Sequence, residues 1–247
     1  MKLYKNTLDL PLKAWNSGLE FGVQKALNRR HSVALSMNYL HSQGDWKAKA
    51  LPQTLKMERW SVALYDTLVG DSGQYLDVKG ELGRTTLNLD RAGSLNALAL
   101  RTWFGSVSGE VGLKHYFSEK VFAEPQAQLQ YLRFSNVKVA SNETQMQSLI
   151  GRLGVRAGYE IRQDPERASM IYARANLYHE FFNNASSSRY STDTARFVGT
   201  RGSWGSLALG LAVSMSAKSY LYLDIEKSVG KRHQKGLEFN GGIRWAF

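Results

Sequence analysis

Five histidines, His31, His41, His115, His179 and His233, are the residues best suited to move protons or hold a metal, and the chain has no cysteine. None of the five has a second ligand at metal-binding spacing, so the sequence predicts neither a metal nor a cofactor. Nucleophilic catalysis needs a serine beside a base that a third group orients. His179 is the candidate base for an outward-facing Ser–His pair on neighbouring strands, but no acid is spaced to hold it. Asp45, Glu58 and Asp193 fall in stretches read as connections, without a clear histidine partner. No phosphate-binding loop or nucleotide fingerprint appears. The expectation is a protein without catalytic residues.

The charged residues follow another logic. Glu20, Lys79, Glu81, Glu110, Lys114, Arg152, Arg156, Glu160, Arg174, Glu180, Asp224, Glu226, Glu238 and Arg244 occupy every second position against apolar neighbours. In Leu149–Glu160, for example, Leu153, Val155, Ala157 and Tyr159 alternate with Arg152, Gly154, Arg156, Gly158 and Glu160. Period two is the signature of a strand with one apolar and one polar face. Both signs are present, so these fourteen residues are expected to line a hydrated lumen, pairing across strands or forming a polar sleeve for a threaded segment.

The net charge of +11 raises nucleic acid as a partner. The basic residues outside the strands are scattered, however: Arg29-Arg30-His31, Lys47 with Lys49, Lys56 with Arg59, and Lys231-Arg232-His233 with Lys235. They build no stripe on one element, and no nucleic-acid site is expected.

The end of the chain, Asn240-Gly241-Gly242-Ile243-Arg244-Trp245-Ala246-Phe247, places a polar residue, a glycine two positions on, and aromatics at the last and third-last places. It resembles the signal read by the barrel-assembly machinery of Gram-negative bacteria. An alternating strand of this kind suits recognition by strand addition, with Asn240, Gly242, Trp245 and Phe247 as the signal residues. The segments Phe122-Ala-Glu-Pro-Gln-Ala-Gln-Leu-Gln-Tyr131, Leu149-Ile-Gly-Arg-Leu-Gly-Val-Arg-Ala-Gly-Tyr159 and Leu221-Tyr-Leu-Asp-Ile-Glu-Lys227 resemble the autotransporter β-domain in order and spacing. The likeness is strong from about residue 60 onward and thinner before it. It implies a twelve-stranded outer-membrane barrel that exports and anchors its own N-terminal passenger. The family's lumenal helix, its passenger and a signal sequence are not found in these residues, so an excised barrel domain with an added Met1 is expected.

The elements that would position these residues fit the resemblance. Alternation predicts an all-β, closed, antiparallel up-and-down barrel spanning 1–247, with strands near 2–10, 16–27, 32–41, 59–69, 74–84, 97–117, 121–134, 147–162, 170–182, 201–216, 219–229 and 236–247. Short links at 28–31, 70–73, 118–120, 162–169 and 216–219 alternate with longer polar stretches at 41–58, 84–96, 135–146, 183–200 and 230–235. Tight periplasmic turns and roomier extracellular loops have that rhythm. Outward aromatics Phe117, Tyr159, Trp245 and Phe247 then fall near the periplasmic interface. No apolar run reaches the ~20 residues of a membrane-crossing helix, which a barrel does not need. The expected partners are outer-membrane lipid, the assembly machinery and the passenger, with the barrel a monomer. A stand-alone channel and a barrel enzyme are the alternative functions.

Overall fold

The computed structural model describes residues 2–5, 11–46, 53–91, 98–139, 142–164, 167–185, 202–216, 219–230 and 235–245. Every described element is a strand: β1 (Lys2–Lys5), β2 (Pro11–Asn28), β3 (His31–Trp46), β4 (Gln53–Val69), β5 (Gln74–Arg91), β6 (Leu98–Leu113), β7 (His115–Tyr116), β8 (Val121–Val139), β9 (Asn142–Asp164), β10 (Arg167–Ala185), β11 (Gly202–Ser216), β12 (Ser219–Gly230) and β13 (Lys235–Trp245). Both β6 and β7 pair with β8, so they form one stave interrupted at Lys114. Twelve antiparallel staves result, as the alternation predicts. The ladder runs in an unbroken circuit: β6 meets β8, and β1 bridges β2 and β13.

The two faces separate cleanly. Val62 and Leu64 are exposed while Ser61 and Ala63 are buried; Leu207 and Leu209 are exposed while Ser206 and Ala208 are buried. Exposed leucine, valine and aromatic side chains on one face of a closed ladder are the reverse of a water-soluble core. They suit hydrocarbon as the solvent.

Short turns close one end by local chemistry. Asn28 Oδ1 accepts from the Arg30 amide at 2.8 Å. Between β4 and β5, the Gly70 amide donates to the Gln74 carbonyl at 2.7 Å, and Gly73 takes a φ of 87°, a left-handed conformation that glycine adopts without strain. Ser118 Oγ accepts from the Val121 amide at 3.1 Å in the turn between β7 and β8.

The other end differs from the sequence expectation. Much of 41–58, 84–96 and 135–146, read above as loops, is strand; β8 and β9 stay paired up to Val139 opposite Asn142. Backbone pairing, once aligned, continues through polar residues such as Lys138 opposite Glu143, after a bulge between Phe134 and Val137. Lys56 and Arg59 therefore lie inside β4 rather than in a connection. Of the first strand expected at 2–10, Lys2–Lys5 is strand, and 6–10 lie outside the described residues.

Candidate functional site

The polar face carries a connected network from β5 to β12. Arg152 on β9 donates to Glu110 at 2.7 Å, and the Tyr75 hydroxyl donates to the same carboxylate at 2.6 Å. One strand over, Arg156 donates to Glu124 at 2.6 Å, and Glu124 also accepts from Gln126 at 2.6 Å. Lys114 pairs with Glu160, which accepts from the Tyr116 hydroxyl at 2.7 Å. Arg174 donates to Glu226 at 2.8 Å and lies 3.9 Å from Asp224. Lys79 and Glu81 pair at 3.0 Å, and Glu180 accepts from the Ser148 hydroxyl at 2.5 Å. Glu20 accepts from Tyr65 at 2.8 Å on the opposite side of the ring. Glu238 sits directly across from Glu226. Arg244 faces Tyr220 in the ladder, and its side chain is outside the described residues.

Crowding explains why these charges pair. Glu124 and Glu180 are each 2% exposed, and an unpaired carboxylate there costs several kcal/mol, of order 3–5. Space is made by an aromatic laid over a directly opposed glycine on four strand pairs: Tyr75 over Gly112, Phe122 over Gly158, Tyr172 over Gly210 and Tyr222 over Gly242. A β-carbon at Gly158 would lie 2.8 Å from the Phe122 ring. In two of the four the tyrosine hydroxyl thereby reaches inward to an acidic neighbour, Tyr75 to Glu110 and Tyr172 to Asp224 at 3.3 Å, and Asp224 also accepts from Asn240 at 2.9 Å.

Of the four signal residues, Asn240 and Gly242 therefore sit on this face, Asn240 bonded to Asp224 and Gly242 beneath Tyr222. Trp245 faces Ser219 in the ladder, its side chain lies outside what is described, and Phe247 lies outside the described residues.

The groups that could do chemistry lie elsewhere. His179 Nδ1 is 2.8 Å from Ser203 Oγ on the apolar face, and its ring packs edge-on against Phe181. No acid orients it among the described residues. Two histidines do have acid partners that the sequence reading did not assign. His31 meets Asp66 at 2.6 Å, and His41 lies 4.0 Å from Glu58, which β4 carries as a strand residue. Asp45 belongs to β3, and Asp193 is outside the described residues. No group of three potential metal ligands forms among the described residues.

A twelve-stave antiparallel ring with an apolar exterior and an ion-paired polar face narrows the comparison to membrane barrels. Residues 6–226 match the autotransporter β-domain family. The chain belongs to that family. Curated relatives include the pertactin autotransporter of Bordetella parapertussis, 29% identical over 193 residues, covering 74% of this chain and 21% of that protein. The BrkA autotransporter of Bordetella pertussis is 30% identical over 203 residues, covering 78% of this chain and 20% of that protein. The chain thus spans about a fifth of the length of the curated relatives it matches. Among solved structures, the β domain of the Bordetella autotransporter BrkA superposes with a TM-score of 0.75 at 24% identity, covering all of this chain and 96% of that one. The translocator domain of NalP from Neisseria meningitidis gives 0.76 at 12% identity, over 100% and 84%. These two share the fold.

As an autotransporter β-domain the chain is an outer-membrane barrel of a Gram-negative bacterium. Three charged members of its polar face escaped the sequence reading: Arg59, Asp77 and Glu124. Glu124 has the parity of Gln126, Gln128 and Gln130 and was one step of extrapolation away. Arg59, at the first position of the strand expected over 59–69 and next to polar residues, reads as loop charge; its guanidinium instead lies 4.4 Å from the Phe104 ring centroid.

Proposed function

We propose that this β-domain exports and anchors an N-terminal passenger, with the polar face lining a water-filled lumen through which, or alongside which, the passenger passes. The observation that carries this reading is the division of labour between faces. The ion pairs of Glu110, Glu124, Glu160 and Glu226 lie on the polar face, and the exposed leucines and valines lie on the other. Twelve strands spaced about 4.8 Å and tilted about 40° close at a backbone radius of roughly 12 Å, leaving about 10–12 Å once side chains are subtracted. One helix or a pair of extended segments passes such a bore; a folded domain does not.

On this reading all fourteen charged residues named from the sequence face the lumen, the barrel acts as a monomer in contact with outer-membrane lipid, and it performs no catalysis. The assembly machinery reads the last strand through Asn240, Gly242, Trp245 and Phe247, so Phe247→Asp lowers outer-membrane levels of the folded, heat-modifiable form. The direct test places a secretory leader and a small reporter ahead of residue 2. Protease-accessible reporter on intact cells is expected; a folded barrel with the reporter held in the periplasm would overturn the export role.

The His179–Ser203 contact supports a second reading, a membrane-embedded acyl hydrolase. It is the weaker one, because no acid fixes the imidazole among the described residues. Ester hydrolysis by the folded barrel that vanishes in Ser203→Ala would favour it.

A further inference from the structure

The apolar exterior ends in cations on one side of the ring. Arg84, Arg101 and Arg133 are exposed on the same face as the apolar residues. Arg84 is directly opposite both Trp60 and Trp103 in the ladder; Arg101 is two residues from Trp103 on β6, and Arg133 faces Gly105, two residues to its other side. Trp60 and Trp103 are 55% and 63% exposed, so the indoles point outward with the guanidinium groups. Directly opposed β-carbons lie about 5 Å apart and diagonal ones about 7–8 Å apart, so Arg84 and Arg101 can grip one ligand.

Height places the cluster. Arg84 stands ten residues along β5 from Gln74, and Trp103 ten residues along β6 from Leu113. At about 3.3 Å per residue and a tilt of about 40°, that is about 25 Å above the short turns, the full height of a barrel's apolar band. The arginines thus sit at the membrane boundary on the end that bears the long hairpins. None of the three forms an ion pair or hydrogen bond among the described residues. The neighbouring outward carboxylate, Glu58, is 4.0 Å from His41.

We propose that this wall binds the phosphorylated glucosamine headgroup of lipid A in the outer leaflet. Arg84, Arg101 and Arg133 hold its phosphates, while Trp60 and Trp103 lie against the sugar and upper acyl chains. The argument is charge complementarity at the depth where that headgroup lies. Guanidinium forks match phosphate oxygens two at a time, and interfacial indoles present an apolar body to lipid and an N–H to the headgroup layer. Three outward arginines with no carboxylate bonded to them among the described residues would otherwise stand uncompensated at an apolar boundary. The proposal rests on the outer-membrane reading and adds a specific lipid site to it.

The test uses the full 247-residue chain folded in detergent, with bound lipid counted by native mass spectrometry. The barrel is offered bisphosphorylated lipid A, dephosphorylated lipid A, phosphatidylglycerol, or inorganic phosphate alone. The expected result is retention of bisphosphorylated lipid A over the other three, falling by about tenfold in Arg84→Gln/Arg101→Gln/Arg133→Gln. It should be unchanged in Lys227→Gln, which removes an exposed lysine on the far wall. Equal retention of dephosphorylated lipid A or phosphatidylglycerol overturns the proposal, as does an unaffected triple variant. If the triple variant fails to fold, Arg101→Gln alone carries the test, with about a threefold loss expected and no loss contradicting it. A barrel that displays a passenger yet ignores lipid A refutes this site alone; a chain that does not enter membranes refutes the outer-membrane reading itself.

Discussion

From β5 to β12 the polar face carries Lys79, Glu81, Glu110, Glu124, Arg152, Arg156, Arg174, Glu180 and Glu226, bonded to one another or to hydroxyls and amides. Across β2 and β3 the same face presents Gln24, Ser32, Ser36 and Asn38, with Glu20 the one charged residue among the described side chains there. Gln24 donates to Ser32 at 2.9 Å and Asn38 to Ser36 at 3.2 Å, so this wall is satisfied by neutral contacts. Packing separates the two. On the charged wall, aromatics folded over glycines bring long side chains together, and carboxylates lose most of their water. Glu20 itself stays exposed, beside a buried Ser36 and half-buried Asn38 and Tyr65, so its charge remains in water. Where crowding removes water, ionised groups must be matched partner for partner; where it does not, small polar residues suffice.

Substitutions can break that contrast. The largest effect is expected from Arg156→Gln, which strands the buried Glu124 carboxylate and should cost about 3–5 kcal/mol in a folding titration. Adding Glu124→Gln should recover most of that loss, and a purely additive double variant would show that the pair is not coupled. Next comes the exterior: Leu209→Arg should cost about 2–4 kcal/mol in lipid, while Gln130→Arg, exposed on the polar face, should stay within about 1 kcal/mol. The reverse order would put the register off by one residue. Gly158→Ala drives a β-carbon into the Phe122 ring and should cost about 1–3 kcal/mol, read from the same titrations. The smallest effect belongs to the neutral wall. Glu20→Gln removes the acceptor of Tyr65 in an exposed setting and should change stability by less than about 1 kcal/mol. A loss as large as that of Arg156→Gln would erase the distinction between the walls.

Much of this architecture was legible in the residues because period two survives wherever a strand meets lipid on one side. Leu207, Leu209 and Val213 against Ser206 and Ala208 give a register that the ladder reproduces. What escaped lies where the apolar partner of the alternation is missing. Beyond the membrane band, β8 and β9 pair through Lys138 and Glu143, and polar residues on both faces look like a loop. The aromatic-over-glycine contacts also escaped, because Tyr75 and Gly112 are remote in sequence and only the ladder makes them neighbours. The same holds for Tyr39, Trp60 and Trp103, which gather on the exterior at the long-hairpin end although the sequence reading placed its aromatics at the other. Pair partners such as Glu110 and Arg152, separated by β8, needed the strand order as well as the faces.

The central claim is that the polar face lines an aqueous path, and the absence of cysteine makes it directly measurable. A single cysteine can be introduced at Gln130 on the polar face or at Leu209 on the apolar one, and the barrel recorded in planar bilayers before and after a charged methanethiosulfonate is added. The account predicts an open barrel whose conductance drops when Gln130→Cys is modified and does not change for Leu209→Cys. A barrel that never conducts, or one that responds at Leu209→Cys and not at Gln130→Cys, would contradict it.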